Sequence, residues 1–196
     1  MKIVLIITLL FTSCIGHSQM SYLDSMQKYL SEYVTNHEVV TAADKQKMQF
    51  FPINENFRVM AKFEPILDAS WMSIPTSSGK TKQYRKFGKL SFLIDGSPQV
   101  LYVYQLQSLL QNPKYQDALF LPFMDATTGD QTYETGRYID LVQSEISNKK
   151  LVIDFNKAYN PYCAYVSGLY SCPVPPQENW LKVAITAGEK RFRKED

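Results

Sequence analysis

The sequence predicts a mainly β domain, an antiparallel sandwich or barrel of about eight strands with one or two N-terminal helices. Runs of apolar residues with a period of two recur between residues 57 and 187. Turn-forming residues rather than helical crossovers separate these runs, which favours hairpins over a parallel sheet. With 196 residues, 45% of them hydrophobic, a single domain over residues 21–196 is expected.

Two helices are predicted before the first strand. Residues 21–34 repeat apolar side chains at intervals of three and four, which is typical of an amphipathic helix. Thr41 and Asp44 have a spacing like that of a capping box and predict a short second helix that runs through Met48. Pro52 then interrupts the helical pattern.

Eight strands are predicted after these helices. The alternation is clearest in the first strand, from Phe57 to Phe63, and in the last, from Leu181 to Ala187. Residues 76–80 and the pair Asp95-Gly96 have the composition of hairpin turns. The predicted strands are 57–63, 67–74, 84–94, 100–106, 118–124, 132–142, 151–155 and 181–187.

The first 18 residues predict a signal peptide and therefore export to the periplasm or the extracellular space. Lys2 precedes an apolar run over residues 3–11, which is shorter than the roughly 20 residues that a membrane-spanning helix needs. Two kinds of processing remain open. Cleavage before Gln19 would follow small residues, whereas FTSC at residues 11–14 resembles a lipobox with Cys14 as the lipid-anchored residue.

Export changes how the cysteines are interpreted. If Cys14 is removed or lipidated, Cys163 and Cys172 are the two remaining thiols. A pair of cysteines in an oxidising compartment predicts a disulfide, here one that closes a short loop.

Several functional classes lack the residues that they need. Without residues 1–18 the chain keeps 20 of its 21 basic residues and all 19 acidic ones, with no basic stripe, so nucleic acid is not expected as a partner. His37 would be the one histidine left, which argues against catalytic triads and against zinc sites of histidine and cysteine. No glycine-rich phosphate loop is present, and neither a metal nor a cofactor is expected.

Residues 119–190 contain the side chains to which chemistry is most readily assigned, because acids, amides and one arginine are concentrated there. Asp125 is expected to close its own turn rather than to bind calcium. Arg137 either pairs with a buried carboxylate such as Asp154 or presents its guanidinium to an anionic ligand. The candidate ligand-binding residues are Asp125, Arg137, Asp140, Asp154, Asn156, Asn160 and Glu189.

Three functions are compatible with this set. The first is the binding of a small molecule or a component of the cell envelope, and six tyrosines between Tyr133 and Tyr170 would form either a pocket wall or part of the core. The second is a hydrolase-like enzyme that uses no histidine but a carboxylate pair drawn from Asp125, Asp140, Asp154 and Glu189. The third is a purely structural envelope protein.

Ordered motifs in the same region resemble a known family. GRYID, DFNKAYNPYCAY, CPVPPQEN and AGEK follow one another between residues 136 and 190, and FFPI and YRKFGKLSFLIDG precede them. Together they resemble the bacterial family called domain of unknown function 1684. The resemblance implies that residues 50–190 form one domain, but it implies no activity and no catalytic residue.

Overall fold

A computed structural model describes residues 20–193 of the chain. The predicted signal peptide and Cys14, with its possible lipid anchor, lie outside these described residues. Within them are two α-helices and seven strands: α1 Tyr22–Asn36, α2 Gln107–Leu110, β1 Arg58–Pro65, β2 Met72–Pro75, β3 Thr81–Ile94, β4 Ser97–Leu106, β5 Ala118–Phe123, β6 Arg137–Val142 and β7 Lys150–Asp154.

The seven strands form a single antiparallel sheet in the order β6-β5-β4-β3-β1-β7, and β2 pairs with β3. The sheet curls into a half-barrel. The mainly β, antiparallel class is therefore confirmed. Among the described residues, however, there are seven strands rather than about eight, and they form one curled sheet rather than a sandwich or a closed barrel.

Both faces of the sheet are covered. One face carries the main core, which includes Leu90, Leu101, Leu121, Ile139 and Ile153. The other face carries a second cluster of buried side chains, which contains Ile74, Tyr84, Tyr104, Phe120 and Tyr138.

A β-bulge in β3 explains how one strand serves both faces. The register with β4 shifts between Lys86 and Gly88, so that Phe87 is an extra residue in the ladder. An extra residue reverses the alternation of the side chains. Tyr84, before the bulge, therefore belongs to the second cluster, whereas Leu90, after it, belongs to the main core.

Helix α1 begins one residue after the predicted start at residue 21 and ends two residues later than the predicted end at residue 34. The Ser21 side chain accepts a hydrogen bond from the backbone N–H of Asp24 and so caps the helix. The Tyr22 hydroxyl donates to both carboxylate oxygens of Asp154, at 3.0 Å each, and ties the first turn of α1 to the end of β7.

The strand expected at residues 132–142 begins only at Arg137. Three further predicted elements differ from the structure. The strand expected at residues 67–74 is limited to β2, because Asp68 adopts a left-handed conformation with φ of 59° and makes a turn after β1. The helix expected from Thr41 to Met48 is a single 3₁₀ turn over Lys45–Lys47.

The third difference concerns residues 181–187. Their side chains alternate between buried and exposed as predicted, but they do not form a strand. The backbone oxygens of Ile185 and Ala187 instead accept hydrogen bonds from the Arg137 guanidinium. The Arg137 side chain therefore replaces a neighbouring strand at Ile185 and Ala187, whereas Leu181 and Val183 form backbone hydrogen bonds with Met124 and Ala126.

The predicted disulfide between Cys163 and Cys172 is present, with a Cα–Cα distance of 6.3 Å. It closes a loop that packs beside the β2–β3 hairpin, where the backbone N–H of Ser77 donates to the carbonyl of Cys172 at 2.8 Å.

Candidate functional site

A cleft of about 970 Å³ lies on the side of the sheet that carries the second cluster. We call it the tyrosine-lined cleft. Helix α1, strands β3 to β6 and the segment 159–173 all contribute to its walls. The aromatic residues that line it are Tyr29, Tyr33, Tyr115, Phe120, Tyr138, Tyr159, Tyr162 and Tyr170.

The aromatic rings of the cleft contact one another in two groups. In the larger group, the ring centroid of Tyr33 lies 6.5 Å from that of Tyr29 and 6.3 Å from that of Tyr159. Tyr159 in turn lies 5.8 Å from Tyr138. In the smaller group, Tyr162 and Tyr170 meet edge to face at 5.1 Å, next to the disulfide.

The tyrosine hydroxyls of the cleft are uncharged at neutral pH. Burial raises the pKa of Tyr33 and of Tyr159, and the neighbouring carboxylates Glu189 and Asp140 raise them further. Burial and the charge of Asp140 raise the pKa of Tyr29 to about 12. These hydroxyls therefore present neutral donors, and their rings keep the negative faces that attract cations.

Asp140 on β6 is the acidic centre of the cleft. The Tyr159 hydroxyl donates to its Oδ1 at 2.9 Å. The side chain of Asp140 is exposed to solvent within the cleft, although protein atoms surround much of its carboxylate. This partial burial raises the pKa of Asp140, and the hydrogen bond from Tyr159 lowers it. No lysine or arginine among residues 20–193 forms an ion pair with Asp140.

The side chains that line the cleft include more acids than bases. Four lining residues are acidic, namely Glu32, Glu38, Asp140 and Glu145, and Lys82 is the one lysine or arginine among the lining residues. Burial lowers the pKa of Lys82. Lys82 lies on β3, separated from Asp140 on β6 by two intervening strands.

His37 follows the last turn of α1 and lines the cleft. Its Nδ1 accepts hydrogen bonds from the backbone N–H groups of Val39 and Val40 at 3.3 and 3.1 Å, so the proton of the neutral ring is on Nε2. Burial, and to a smaller extent the charge of Lys45, lower the pKa of His37 from its ordinary value. Because its lone pair is engaged by the backbone, His37 has a structural role in the cleft wall and not that of a base.

A buried ion pair lies beneath residues 185–189, which we call the C-terminal segment. The Arg137 guanidinium donates to Oδ2 of Asp125 at 2.9 Å, and both side chains are almost completely buried. The same guanidinium donates to the backbone oxygens of Ile185, Ala187 and Glu189. Arg137 therefore pairs with Asp125 and not with Asp154, the partner suggested by the sequence.

The loop of Asp125 closes as predicted. Its Oδ1 accepts from the backbone N–H of Thr127 at 2.8 Å and from the Thr127 hydroxyl at 2.6 Å. Gly136, directly before Arg137, has φ of +89°, and a Cβ there would collide with the carbonyl oxygen of Phe123. This close approach accounts for the glycine at the start of β6.

Glu189 and Asn160 form a second buried group. The Glu189 carboxylate accepts from the Tyr165 hydroxyl at 2.6 Å, the Tyr33 hydroxyl at 3.3 Å and the backbone N–H of Asn160 at 2.9 Å. Burial raises the pKa of Glu189 to about 7, although these donors partly offset the shift. The side-chain amide of Asn160 donates to the backbone oxygen of Lys190 at 2.8 Å.

Asp154 and Asn156 form hydrogen bonds with Tyr22 and Asn54 from the N-terminal part of the described chain. Asn156 donates to the Asp154 carboxylate, the Tyr22 hydroxyl and the backbone oxygen of Asn54. Its side-chain oxygen accepts from the backbone N–H of Asn54 at 2.9 Å.

The seven candidate residues thus fall into two sets. Six are buried and hydrogen-bonded inside the protein, and one lines the tyrosine-lined cleft, Asp140. Of the four acids considered for a catalytic pair, one therefore faces this cleft. The charged and aromatic lining residues that the sequence did not suggest are Tyr29, Tyr33, Tyr115, Phe120 and Lys82, together with the acids Glu32, Glu38 and Glu145. The available signal was the density of tyrosines between Tyr133 and Tyr170, four of which line the cleft.

The described part of the chain has neither a cluster of metal ligands nor a membrane-spanning helix. Residues 20–193 contain no group of three or more His, Cys, Asp or Glu side chains arranged to hold a metal ion. Over the same residues, no helix has the length and apolar character required to cross a bilayer.

Comparisons with known proteins place the chain among uncharacterised relatives. The family described as "Protein of unknown function (DUF1684)" matches residues 44–190. The chain is also similar to an uncharacterised protein of Haloarcula marismortui whose structure was solved by solution NMR. The two share 31% sequence identity with a TM-score of 0.63 over 85% of this chain and 92% of that one. No curated protein matches the sequence.

Proposed function

We propose that this chain, which belongs to the family described as "Protein of unknown function (DUF1684)", is exported and binds a small organic molecule in its tyrosine-lined cleft. The family gives the chain no activity, so the proposal depends on the geometry of the cleft. A component of the cell envelope with a small exposed headgroup falls within the same proposal.

The observation that carries the proposal is the cleft itself. Its volume of about 970 Å³ is within the range of small-molecule sites, roughly 300–1,000 Å³. Its walls combine aromatic rings with a few polar groups, and a solvent-accessible acid of shifted pKa lies among them. That combination is typical of ligand sites.

The buried residues favour a rigid wall for this site. Glu189 joins Tyr33 of α1 to Tyr165 and Asn160, and Tyr33 also lines the cleft. The disulfide is directly beside Tyr162 and within two residues of Tyr170. A wall that is fixed before the ligand arrives reduces the entropy lost on binding.

Export is supported by two features of the chain. The first 18 residues have the composition of a signal peptide, and a disulfide between Cys163 and Cys172 is consistent with an oxidising compartment. Mass spectrometry of the chain produced in a bacterial host tests export and its processing together. We expect either a chain that starts at Gln19 or one that starts at a lipid-modified Cys14. A full-length chain retained in the cytoplasm would contradict export.

Ligand binding is tested by thermal denaturation with a panel of small molecules. The panel contains glucose and N-acetylglucosamine as neutral compounds, choline and butylammonium as cations, and citrate and benzoate as anions. A ligand at 100 times its Kd should raise Tm by roughly 5–10 °C.

A matched pair of variants locates the binding. Ala118 shares a strand face with Phe120 and lines the cleft, so Ala118→Trp should fill the cleft and abolish the rise in Tm. Ala184→Trp places the same side chain at an exposed position that does not line the cleft, and it should preserve the rise. If no panel member binds, or if Ala118→Trp binds as the wild type does, the cleft is not the site.

A further inference from the structure

We infer that the tyrosine-lined cleft takes an organic cation, with the alkylammonium group of the ligand held between the tyrosine rings and the Asp140 carboxylate. This inference rests on the proposed function and names the class of ligand. The inference concerns only the alkylammonium group; the rest of the ligand would occupy the remaining volume of the cleft.

Asp140 carries an unpaired charge within the described chain. Two other carboxylates have cationic partners: Asp125 pairs with Arg137 at 2.9 Å, and Glu178 pairs with Lys86 at 2.9 Å. Asp154 and Glu189 have none in the described part of the chain, but each is buried and accepts several hydrogen bonds from the protein. Asp140 has a hydroxyl donor from Tyr159 but no ion pair within residues 20–193. A carboxylate that is partly removed from water gains most from a cation that arrives with the ligand.

Tyrosine rings from helix α1 and from the segment 159–173 line the cleft together with this carboxylate. The Tyr159 hydroxyl donates to Asp140 at 2.9 Å, and the Tyr159 ring lies 6.3 Å from that of Tyr33. The Tyr29 ring already has the ammonium of Lys157 5.3 Å from its centroid, so the rings of Tyr33, Tyr159 and Tyr162 are those left to the ligand. Tyrosine faces attract ammonium groups within about 6 Å, and several such rings form the aromatic cages that bind quaternary ammonium ligands.

The cleft as a whole has an excess of acidic side chains. Four acidic residues and one lysine line it, and of these acids Glu32 pairs with Lys28 at 3.8 Å. The remaining excess attracts cations and disfavours anions. Among the ion pairs of residues 20–193, none joins Lys82 to Asp140.

The experiment compares cations with uncharged molecules of the same shape. Isothermal titration calorimetry measures how tightly the protein binds choline and its carbon isostere 3,3-dimethylbutan-1-ol. Butylammonium and butan-1-ol form a second pair. Each cation should bind at least about tenfold more tightly than its neutral counterpart, because a hydrogen bond or contact with a charged group contributes more than a neutral one.

Three variants assign the effect. Asp140→Asn should weaken choline binding by about 10- to 100-fold and remove the preference over the neutral isostere. Asp130→Asn makes the same change of charge at an exposed turn outside the cleft and should leave the affinity unchanged. Tyr162→Leu should weaken choline binding by about 3- to 30-fold, whereas Tyr162→Phe, which keeps the ring, should not.

The outcomes separate this inference from the proposed function. If neither cation binds while a neutral or anionic panel member binds in a manner that Ala118→Trp abolishes, the inference is wrong and the proposed function stands. Equal binding of choline and its isostere, or unchanged binding by Asp140→Asn, overturns the inference in the same way. If no compound of any class binds in the cleft, both are wrong.

Discussion

Arg137 is the residue on which the C-terminal segment most depends. Its guanidinium is buried, and it contacts Asp125 and three backbone oxygens between Ile185 and Glu189. A buried ion pair contributes little net free energy compared with well-packed apolar side chains, but the loss of one partner leaves an uncompensated charge in the interior.

Arg137→Met should therefore lower the free energy of unfolding by about 3–5 kcal/mol, because Asp125 remains buried without its cation. Chemical denaturation measures the change. The matched control is Arg191→Met, since Arg191 pairs with Glu134 at 3.1 Å on the surface. Exposed pairs contribute about 0–1 kcal/mol, so equal losses in the two variants would contradict the assignment.

Glu189 should make the stability depend on pH. Its pKa of about 7 in the folded protein is above the ordinary value of 4.5, so the folded state binds the proton more tightly than the unfolded state does. The stabilisation is complete below pH 4.5 and is lost as the pH rises through 7.

Glu189→Gln removes this titration. The unfolding free energy of the variant minus that of the wild type should increase by about 3 kcal/mol at most between pH 5 and pH 8. Denaturation at a series of pH values measures the difference, in which the titration of other groups cancels. A difference that stays constant over this range would mean that Glu189 is ionised throughout.

The sequence indicates which residues are unusual but not which ones meet. Asp125, Arg137 and Glu189 stand out as charged residues among strand-forming neighbours, and the structure brings them close together. The suggested partner Asp154 is wrong because β7 is at the far edge of the sheet from β6. Local periodicity contains no information about the order of strands, so the partner of Arg137 could not be chosen from it.

At the scale of elements, the attachment of α1 depends on its first turn. Tyr22 donates to Asp154, and Asn156 donates to Tyr22. The last turn of the helix carries Tyr33 against Glu189. Because Tyr29 and Tyr33 line the cleft, the position of α1 also determines the shape of one cleft wall.

Tyr22→Phe should loosen α1 without unfolding the sheet. It removes a donor to a buried carboxylate, which costs about 1–3 kcal/mol. Amide hydrogen exchange within α1 should become faster, while exchange in β3 and β4 stays slow. Tyr29→Phe, on the same helix, keeps the stacked ring and should leave exchange close to that of the wild type. Equal protection of α1 in both variants would show that packing alone holds the helix.

Elements with strong local signals are predicted well. Ser21 marks the start of α1, and Asp95 and Gly96, both with positive φ, form the predicted turn between β3 and β4. The eighth strand fails for a non-local reason. Residues 181–187 have the right alternation, but within the described chain only Leu181 and Val183 bond to a neighbouring backbone, that of Met124 and Ala126. Ile185 and Ala187 bond to the side chains of Asp125 and Arg137, which no pattern within the segment reveals.

At the scale of the molecule, the mainly β class and the disulfide are confirmed, whereas the architecture differs. A half-barrel of seven strands buries both faces because α1 and the segment 159–173 cover the side opposite the main core. The cleft lies within this covering layer. Its walls come from parts of the chain more than 100 residues apart, so the tyrosines could be noted from the sequence but not assigned to a cleft.

The most direct test of the central claim, that the tyrosine-lined cleft is the binding site, is an NMR titration of the ¹⁵N-labelled protein with the panel compound that raises Tm most. The perturbed amides should cluster at Asp140, Tyr159, Tyr162 and Tyr170. Amides around the separate hollow lined by Met60, Leu93 and Lys150 should remain unchanged. Perturbations centred on that hollow, or spread over the protein without regard to the cleft, would show that the cleft is not the binding site.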